Sequence, residues 1–275
     1  MTFNQLPKVS AVMCTYRRFK CVERAMNCFL AQDYPNKELI IYNTDVENPI
    51  DHYGTFYVSS DIVVVNSNTD SVTNEAYSNV GAIRRDALTW ATGDYVVTWD
   101  DDDIFLPHFM RQGIDKIHAT GLPSFKPAES FFYSGDNLRL VRNTMEASVI
   151  ADIKKVRQYG YLLETGSEGL GWYTKMRDNK ELNENDTHCI PSYCFNWNDG
   201  DAMDAPHKQS GDIDNPNNFE NHKKASKDIA PSSKLLEVYT EQQMREIYAD
   251  YYLYLEENQG NFDADLLLKY CPNNF

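Results

Sequence analysis

Four consecutive aspartates, Asp100-Asp101-Asp102-Asp103, follow directly on the run Tyr95-Val96-Val97-Thr98-Trp99 and precede Ile104-Phe105-Leu106-Pro107. Neighbouring carboxylates repel one another by about 1 kcal/mol per pair at ~4 Å in water, and by more near a protein surface. A cation should therefore share the place. Oxygen ligands at the end of a rigid strand suit a hard divalent ion, Mg²⁺ or Mn²⁺, and such ions keep positions open for the phosphate oxygens of a substrate. A solvated acidic turn is the plainer alternative. The β-branched and aromatic run in front, read as a buried strand, argues against it.

That strand needs neighbours, and the chain supplies them. Val9 to Cys14 reads as a first strand, closed by Thr15-Tyr16-Arg17-Arg18. Cys21, Val22, Ala25, Met26, Phe29 and Leu30 then follow helical spacing, which predicts an amphipathic helix from Phe19 to Gln32. Glu38 to Tyr42 and Ile62 to Val65 are further strands, with a helix over Ala76 to Ala91 capped by Gly93. Strand, helix, strand is the parallel crossover unit. In open parallel sheets ligands gather beyond the carboxyl ends of the strands, so Thr15 to Arg18, Asn43 to Asp45 and Asp100 to Asp103 should line one crevice. Thr15, Tyr16, Arg18, Asn43, Asp45, Asp100 and Asp101 are accordingly the candidate ligand-binding residues.

Composition narrows the classes. A chain of 275 residues with 42% hydrophobic and 13% aromatic content can bury a full core. The net charge of −15 argues against nucleic acid or an anionic membrane as a general partner. No apolar run approaches the ~20 residues of a membrane span, and Met1 to Lys8 lacks the apolar core of a signal peptide, so a cytoplasmic protein is expected. The six cysteines form no Cys-x-x-Cys pair and are expected as buried free thiols. No glycine-rich turn follows the first strand, which disfavours a nicotinamide enzyme, and the phosphate-loop signature is absent as well.

Four segments in order resemble family 2 glycosyltransferases of the GT-A fold: Val9 to Arg18; Ala31-Gln32-Asp33-Tyr34-Pro35-Asn36-Lys37-Glu38-Leu39-Ile40-Ile41; Gly81-Ala82-Ile83-Arg84-Arg85-Asp86-Ala87 with Ala91-Thr92-Gly93-Asp94-Tyr95; and the aspartate run with Pro107. The resemblance implies an α/β, Rossmann-like GT-A domain with a mixed, mostly parallel central sheet flanked by helices over residues 1–220. Its nucleotide-sugar half would span about 1–107 and its acceptor half about 108–220, with a C-terminal helical extension over 221–275. It further implies an inverting transfer of a sugar from a nucleotide-diphosphate sugar, by default a UDP-sugar, to an acceptor hydroxyl of a saccharide or other molecule. The cofactor would be Mn²⁺ or Mg²⁺, held mainly by Asp102 with Asp100, and Arg84 would lie near the sugar or phosphates. A non-catalytic sugar- or nucleotide-binding module of the same fold and a nucleotidyltransferase are the alternatives.

The second half is expected to hold strands over Phe125 to Ser134, Leu138 to Val141 and Ser192 to Trp197, and a helix from Lys154 to Tyr159. Within Thr165 to Tyr173, where inverting relatives carry a Glu-Asp pair, this chain has Glu168-Gly169. Glu168 is the candidate general base, a role that asks for a carboxylate within hydrogen-bond reach of the acceptor, and Glu164 stands in reserve. The loop Asn198 to Asn218 carries His207 and Lys208, which by the same resemblance would reach the metal and the diphosphate. Beyond it, Lys234 to Tyr254 and Phe262 to Tyr270 have helical spacing, and their tyrosines suit either core packing or a homo-oligomer contact.

Overall fold

The structure, a computed structural model, describes residues 6–50, 61–134, 137–186, 189 and 191–196. Trp197, the loop with His207 and Lys208, and the C-terminal helices expected beyond residue 220 lie outside the described residues.

Strands β1 (Val9–Thr15), β2 (Lys37–Asn43), β3 (Ile62–Asn66) and β4 (Tyr95–Thr98) are parallel, side by side in the order β4-β1-β2-β3. Beyond β4 the sheet continues through antiparallel β9 (Ile150–Asp152) to β6 (Ser124–Phe125) and β10 (Leu182–Asn183), giving seven strands. Side chains alternate between the faces of a strand. Ala11, Met13, Leu39 and Ile41 join Val22 and Phe29 of α1 (Phe19–Leu30) and Phe109 and Ile114 of α3 (Phe109–Thr120) in one core. Val12, Ile40 and Tyr42 pack on the other face against Ile83 and Ala87 of α2 (Val80–Leu88), Val156 of α4 (Ile153–Tyr159) and Trp172 and Met176 of α5 (Leu170–Asp178). With both faces covered, β1 and β2 are almost wholly buried, as central parallel strands are.

A second sheet of four strands, in the order β5 (Ile104–Phe105), β11 (Tyr193–Asn196), β7 (Glu129–Ser134) and β8 (Asn137–Arg142), stands beside the aspartate run. The stretch between the sheets is anchored at both ends. Trp99, fully buried, stacks on Phe105 with ring centroids 3.9 Å apart and donates its indole N–H to the carbonyl of Ala25 at 3.0 Å. Gln32 donates to the carbonyl of Leu106 at 2.7 Å and accepts from the N–H of Met110 at 3.0 Å. The aspartates between these anchors are thereby fixed to α1 and to the turn that follows it.

Three sequence expectations are corrected. The second helix is Val80–Leu88, shorter than the expected 76–91, because Asn79 caps it by accepting from the N–H of Ala82 at 2.8 Å while Thr69 bridges Ala76 outside it. Gly93 is no cap. A Cβ there would lie 2.6 Å from Ser10 Oγ and 2.7 Å from the carbonyl of Lys8, so glycine is needed for close packing on β1. The stretch 125–134 is two strands, β6 and β7, in different sheets; Pro127 cannot serve a continuous central strand.

Candidate functional site

The exits of β1, β2 and β4 meet. The N–H of Thr44 donates to the carbonyl of Thr15 at 3.0 Å, and Thr15 Oγ1 donates to Asp101 Oδ2 at 2.7 Å. Arg18 Nη1 lies 2.6 Å from Asp101 Oδ1 and 3.0 Å from Asp102 Oδ2. Arg24, on α1, donates to the carbonyl of Asp102 at 2.7 Å. At the second exit, Asp45 accepts from Arg17 Nε at 3.2 Å and from Asn48 at 2.8 Å. Asn43, 2% exposed, donates to the carbonyls of Asp45 and Asn48 and to Asn66. Its amide nitrogen shapes the turn that presents Asp45. The Arg17 guanidinium stands 4.9 Å from the centre of the half-buried Tyr16 ring.

The four aspartates divide into a more buried pair, Asp101 and Asp103, and a less buried pair, Asp100 and Asp102. Asp101 is consumed by Thr15 and Arg18. Asp103, 1% exposed, accepts from the N–H of Asn196 at 3.0 Å and from the hydroxyl of Tyr193, which ties the second sheet to the run. Asp100 and Asp102 keep side-chain exposures of 26% and 11%, against 4% for Asp101. Burial pushes the carboxyl of Asp101 up to about 6 against the pull of Arg18. It raises Asp103 far more, with the charges of Asp102 and Asp100 adding to it, and it raises Asp100 despite Arg84. Buried carboxylates that resist joint ionisation are a place where a cation is stabilised. Among the described residues no three His, Cys, Asp or Glu side chains form a closed metal cage. A hard octahedral ion completed by water and substrate phosphates needs only one or two carboxylates, so the donor set of Asp100 and Asp102 fits it.

Arg84, on the inner side of α2, joins the third exit to the chain's second half. Its Nη2 donates to Asp100 Oδ1 at 2.8 Å and its Nε to Glu168 Oε1 at 2.7 Å. Glu168 Oε2 accepts from the N–H of Gly166 at 2.9 Å. Burial alone would raise Glu168, but Arg84 and these N–H donors outweigh it and hold the carboxyl below its ordinary value. Glu168 is 5% exposed, with Oε1 on Arg84 and Oε2 on the Gly166 N–H, a setting that orients the Arg84 guanidinium. Glu164 is exposed at the loop surface and accepts from Ser167 Oγ at 2.7 Å.

The expected residues Thr15, Arg18, Asp100, Asp101 and Asp102 are therefore in one cluster, Arg84 and Glu168 extend it, and Tyr16, Asn43 and Asp45 flank it. Two contributors escaped the sequence. Arg24 lies on α1, and its target, the carbonyl of Asp102, is 78 positions away, so no local pattern pointed to it. Glu146, in a 3₁₀ turn over Glu146–Ser148, lies within electrostatic reach of Asp100, Arg84 and Glu168 and carried no local signal.

Comparison with known proteins gives the same direction. The model of "Glycosyl transferase family 2" matches residues 10–194. WcaA of Escherichia coli (strain K12), named as a colanic acid biosynthesis glycosyl transferase, is 31% identical over 133 residues, 47% of this chain and 43% of that protein. Among solved structures, S. aureus TarS residues 1–349 superimpose with a TM-score of 0.51 at 13% identity, covering 69% of this chain and 60% of that one. The same protein in complex with UDP-GlcNAc gives 0.51, over 69% and 58%. The chain thus spans less than half of that curated relative's length, and the structural likeness carries the fold.

Proposed function

Because the chain belongs to glycosyl transferase family 2, we propose that it transfers a sugar from a nucleoside-diphosphate sugar, by default a UDP-sugar, to an acceptor hydroxyl with inversion. The observation that carries this reading is the pair Asp100 and Asp102, the less buried of the four aspartates, at the point where three parallel strand exits meet and held by Arg18, Arg24 and Arg84. The TarS complexes with UDP and with UDP-GlcNAc support the donor class.

Asp102 and Asp100 would hold Mn²⁺ or Mg²⁺. When bound, that ion supplies Lewis-acid stabilisation of the negative charge that grows on the departing diphosphate. The chain's own residues then have separate tasks. Thr15 and Arg18 hold Asp101 and, through it, the loop that presents the less buried pair. Asp45, Arg17 and Tyr16 form the rim on the β2 side, where a nucleoside would rest. Arg84, a fixed cation in a partly desolvated position, faces the departing phosphates or the sugar, with Glu168 orienting it. His207 and Lys208 would approach the same phosphates.

The reading is tested by melting curves with UDP, GDP and CMP and with their sugars, each with Mn²⁺ and with chelator. A ligand at ~100 times its dissociation constant adds about 2.7 kcal/mol, roughly 5–11 °C for a domain of this size. One nucleotide should raise the melting temperature only with metal, and Asp102→Ala should abolish the shift. Absence of any shift would sink this reading and favour a module that binds sugar without transferring it.

A further inference from the structure

Gly169 opens α5 in ordinary helical backbone, φ −68° and ψ −23°, which any L residue adopts. Its lack of a side chain is therefore about space. A Cβ at residue 169 would lie 2.6 Å from Glu146 Cγ, 3.0 Å from Glu146 Oε1 and 3.3 Å from Glu146 Cδ. The carboxylate of Glu146 occupies the volume into which a side chain at 169 would project.

The turn that carries Glu146 is firmly built. Asn143, 3% exposed, accepts from the N–H of Met145 at 3.0 Å and donates to Ser148 Oγ at 2.7 Å and to the carbonyl of Pro127 at 2.9 Å. The N–H of Val149 closes the turn on the carbonyl of Glu146 at 3.0 Å. The turn packs on β4, whose end is the aspartate run. Within electrostatic reach of the Glu146 carboxylate lie Asp100 after β4, Arg84 of α2, Glu168 before α5, Tyr173 of α5 and Tyr193 of β11. Burial raises the Glu146 carboxyl above its ordinary value, and Asp100 and Glu168 push the same way against Arg84.

Compared with its neighbours, Glu146 is the carboxylate left available. Asp101 and Asp103 are already bound, Glu168 has both oxygens engaged and Glu164 is out in solvent. Glu146 is half-buried; its carboxylate takes a hydrogen bond from its own backbone N–H, and none joins it to another described side chain.

We propose that Glu146 is the general base of the transfer, standing in the room that Gly169 leaves; the assignment rests on the glycosyl-transfer reading above. The Glu146 carboxylate takes the proton of the acceptor O–H as that oxygen bonds to the anomeric carbon. The bond from that carbon to the diphosphate oxygen breaks, and its electron pair leaves with the nucleoside diphosphate. Gly169 and Glu146 form one unit: the side chain absent at the start of α5 is replaced by one delivered from the β8–β9 turn.

Donor hydrolysis tests this without a known acceptor, because water takes the acceptor's place. UDP-glucose, UDP-N-acetylglucosamine and GDP-mannose are each incubated with Mn²⁺, and release of UDP or GDP is followed against pH, with melting shifts by the free nucleotide measured in parallel. Glu146→Gln should keep the nucleotide shift, lose about 10²- to 10⁴-fold in release rate and lose the acidic limb of the pH profile. Glu146→Asp should retain part of the rate. The paired change Glu146→Ala with Gly169→Asp should recover tenfold or more over Glu146→Ala alone, since removing Cγ frees the space at 169. Wild-type release that Glu146→Gln leaves within twofold overturns the assignment while the transfer reading stands. No release from any donor by the wild type overturns both.

Discussion

Arg84 and Glu168 are 84 positions apart in the chain, yet the Arg84 Nε–H meets Glu168 Oε1 at 2.7 Å, and the same guanidinium reaches Asp100. One planar fork thus locks α2, the aspartate run and the loop before α5 together, as a lysine's single charged point could not. Truncating it leaves Asp100 and Glu168 facing each other with Cys14 close by, whose thiol burial already pushes up to about 12.

Arg84→Met should therefore cost several kcal/mol, on the order of 3–5 for a broken buried pair. The loss should shrink in acid, where the two carboxylates can take up protons. Arg84→Lys should recover stability in part but bridge only one carboxylate. Urea unfolding at neutral and acidic pH separates these outcomes. A cost that does not change with pH would mean that the carboxylates are not the strained partners.

Tyr193 and Asp103 give a second prediction. The Tyr193 hydroxyl and the Asn196 N–H both donate to Asp103, and Asn196 Nδ2 donates to the carbonyl of Asp102 at 3.0 Å, so β11 holds the far end of the run. Tyr193→Phe removes one donor from a fully buried carboxylate and should cost about 1–3 kcal/mol. Because Asp103 belongs to the more buried pair, the affinity for nucleotide and metal should change little. Titration calorimetry beside thermal melting checks this; a large loss of affinity without loss of stability would place Asp103 in the ligand site.

Much of the framework was legible because it is written in short-range patterns. The strands Val9–Thr15, Lys37–Asn43 and Tyr95–Thr98 show as short apolar, β-branched runs, the helix Phe19–Leu30 as periodicity, and the aspartate run marks the crevice. Less legible was how four identical residues divide. Asp101 and Asp103 are the more buried because Thr15 with Arg18 and Tyr193 with Asn196 await them, partners 83 to 93 positions away. Glu146 was invisible for the same reason. Its significance depends on a missing side chain at Gly169, and that contact exists only once the two sheets and α5 are assembled. Gly93 misled in the opposite way, since a glycine after a helix reads as a cap whether or not it also touches β1.

Asp86 provides a pH prediction. It is 4% exposed and accepts from the Ser71 N–H, Ser71 Oγ, Tyr77 OH and Arg85 Nε, each at 2.8 Å, which fixes the β3–α2 connection. Burial works to raise its carboxyl, but these donors outweigh it and hold it at about 2. A carboxyl with a depressed folded-state pKa stabilises the fold above its unfolded value, near 4, and that contribution is lost as pH falls toward 2. Asp86→Asn should thus cost about 1–2 kcal/mol at neutral pH, allowing for solvent screening of the Arg85 pair. The gap to wild type should narrow steadily below about pH 4. Denaturant unfolding from pH 7 to pH 3 follows it, and a constant gap would mean that the amide fails for packing reasons unrelated to charge.

Gly81 carries the last prediction, because it is where α2 touches the loop that holds Glu168. A Cβ at Gly81 would lie 1.8 Å from the carbonyl oxygen of Leu162, 2.9 Å from its carbon and 3.2 Å from Leu163 Cα. These are backbone atoms and cannot turn aside as a side chain would. The same contact is sewn together by the Gly81 N–H to the carbonyl of Glu164 at 3.0 Å and by the Val80 N–H to Thr165 Oγ1 at 3.2 Å. Gly81→Ala must therefore push the 161–168 loop outward and draw Glu168 off Arg84, with an overpacking cost of about 1–3 kcal/mol. The three atoms nearest a Cβ at 169 all belong to the side chain of Glu146, which can swing, so Gly169→Ala should unfold the protein less. If Glu146 is the base, Gly169→Ala should still depress the rate of donor turnover by displacing that carboxylate. The two alanines should then separate cleanly: Gly81→Ala losing stability first, and Gly169→Ala losing turnover with little change in melting temperature. Equal melting losses for both would mean that the loop yields at Gly81 as easily as a side chain does.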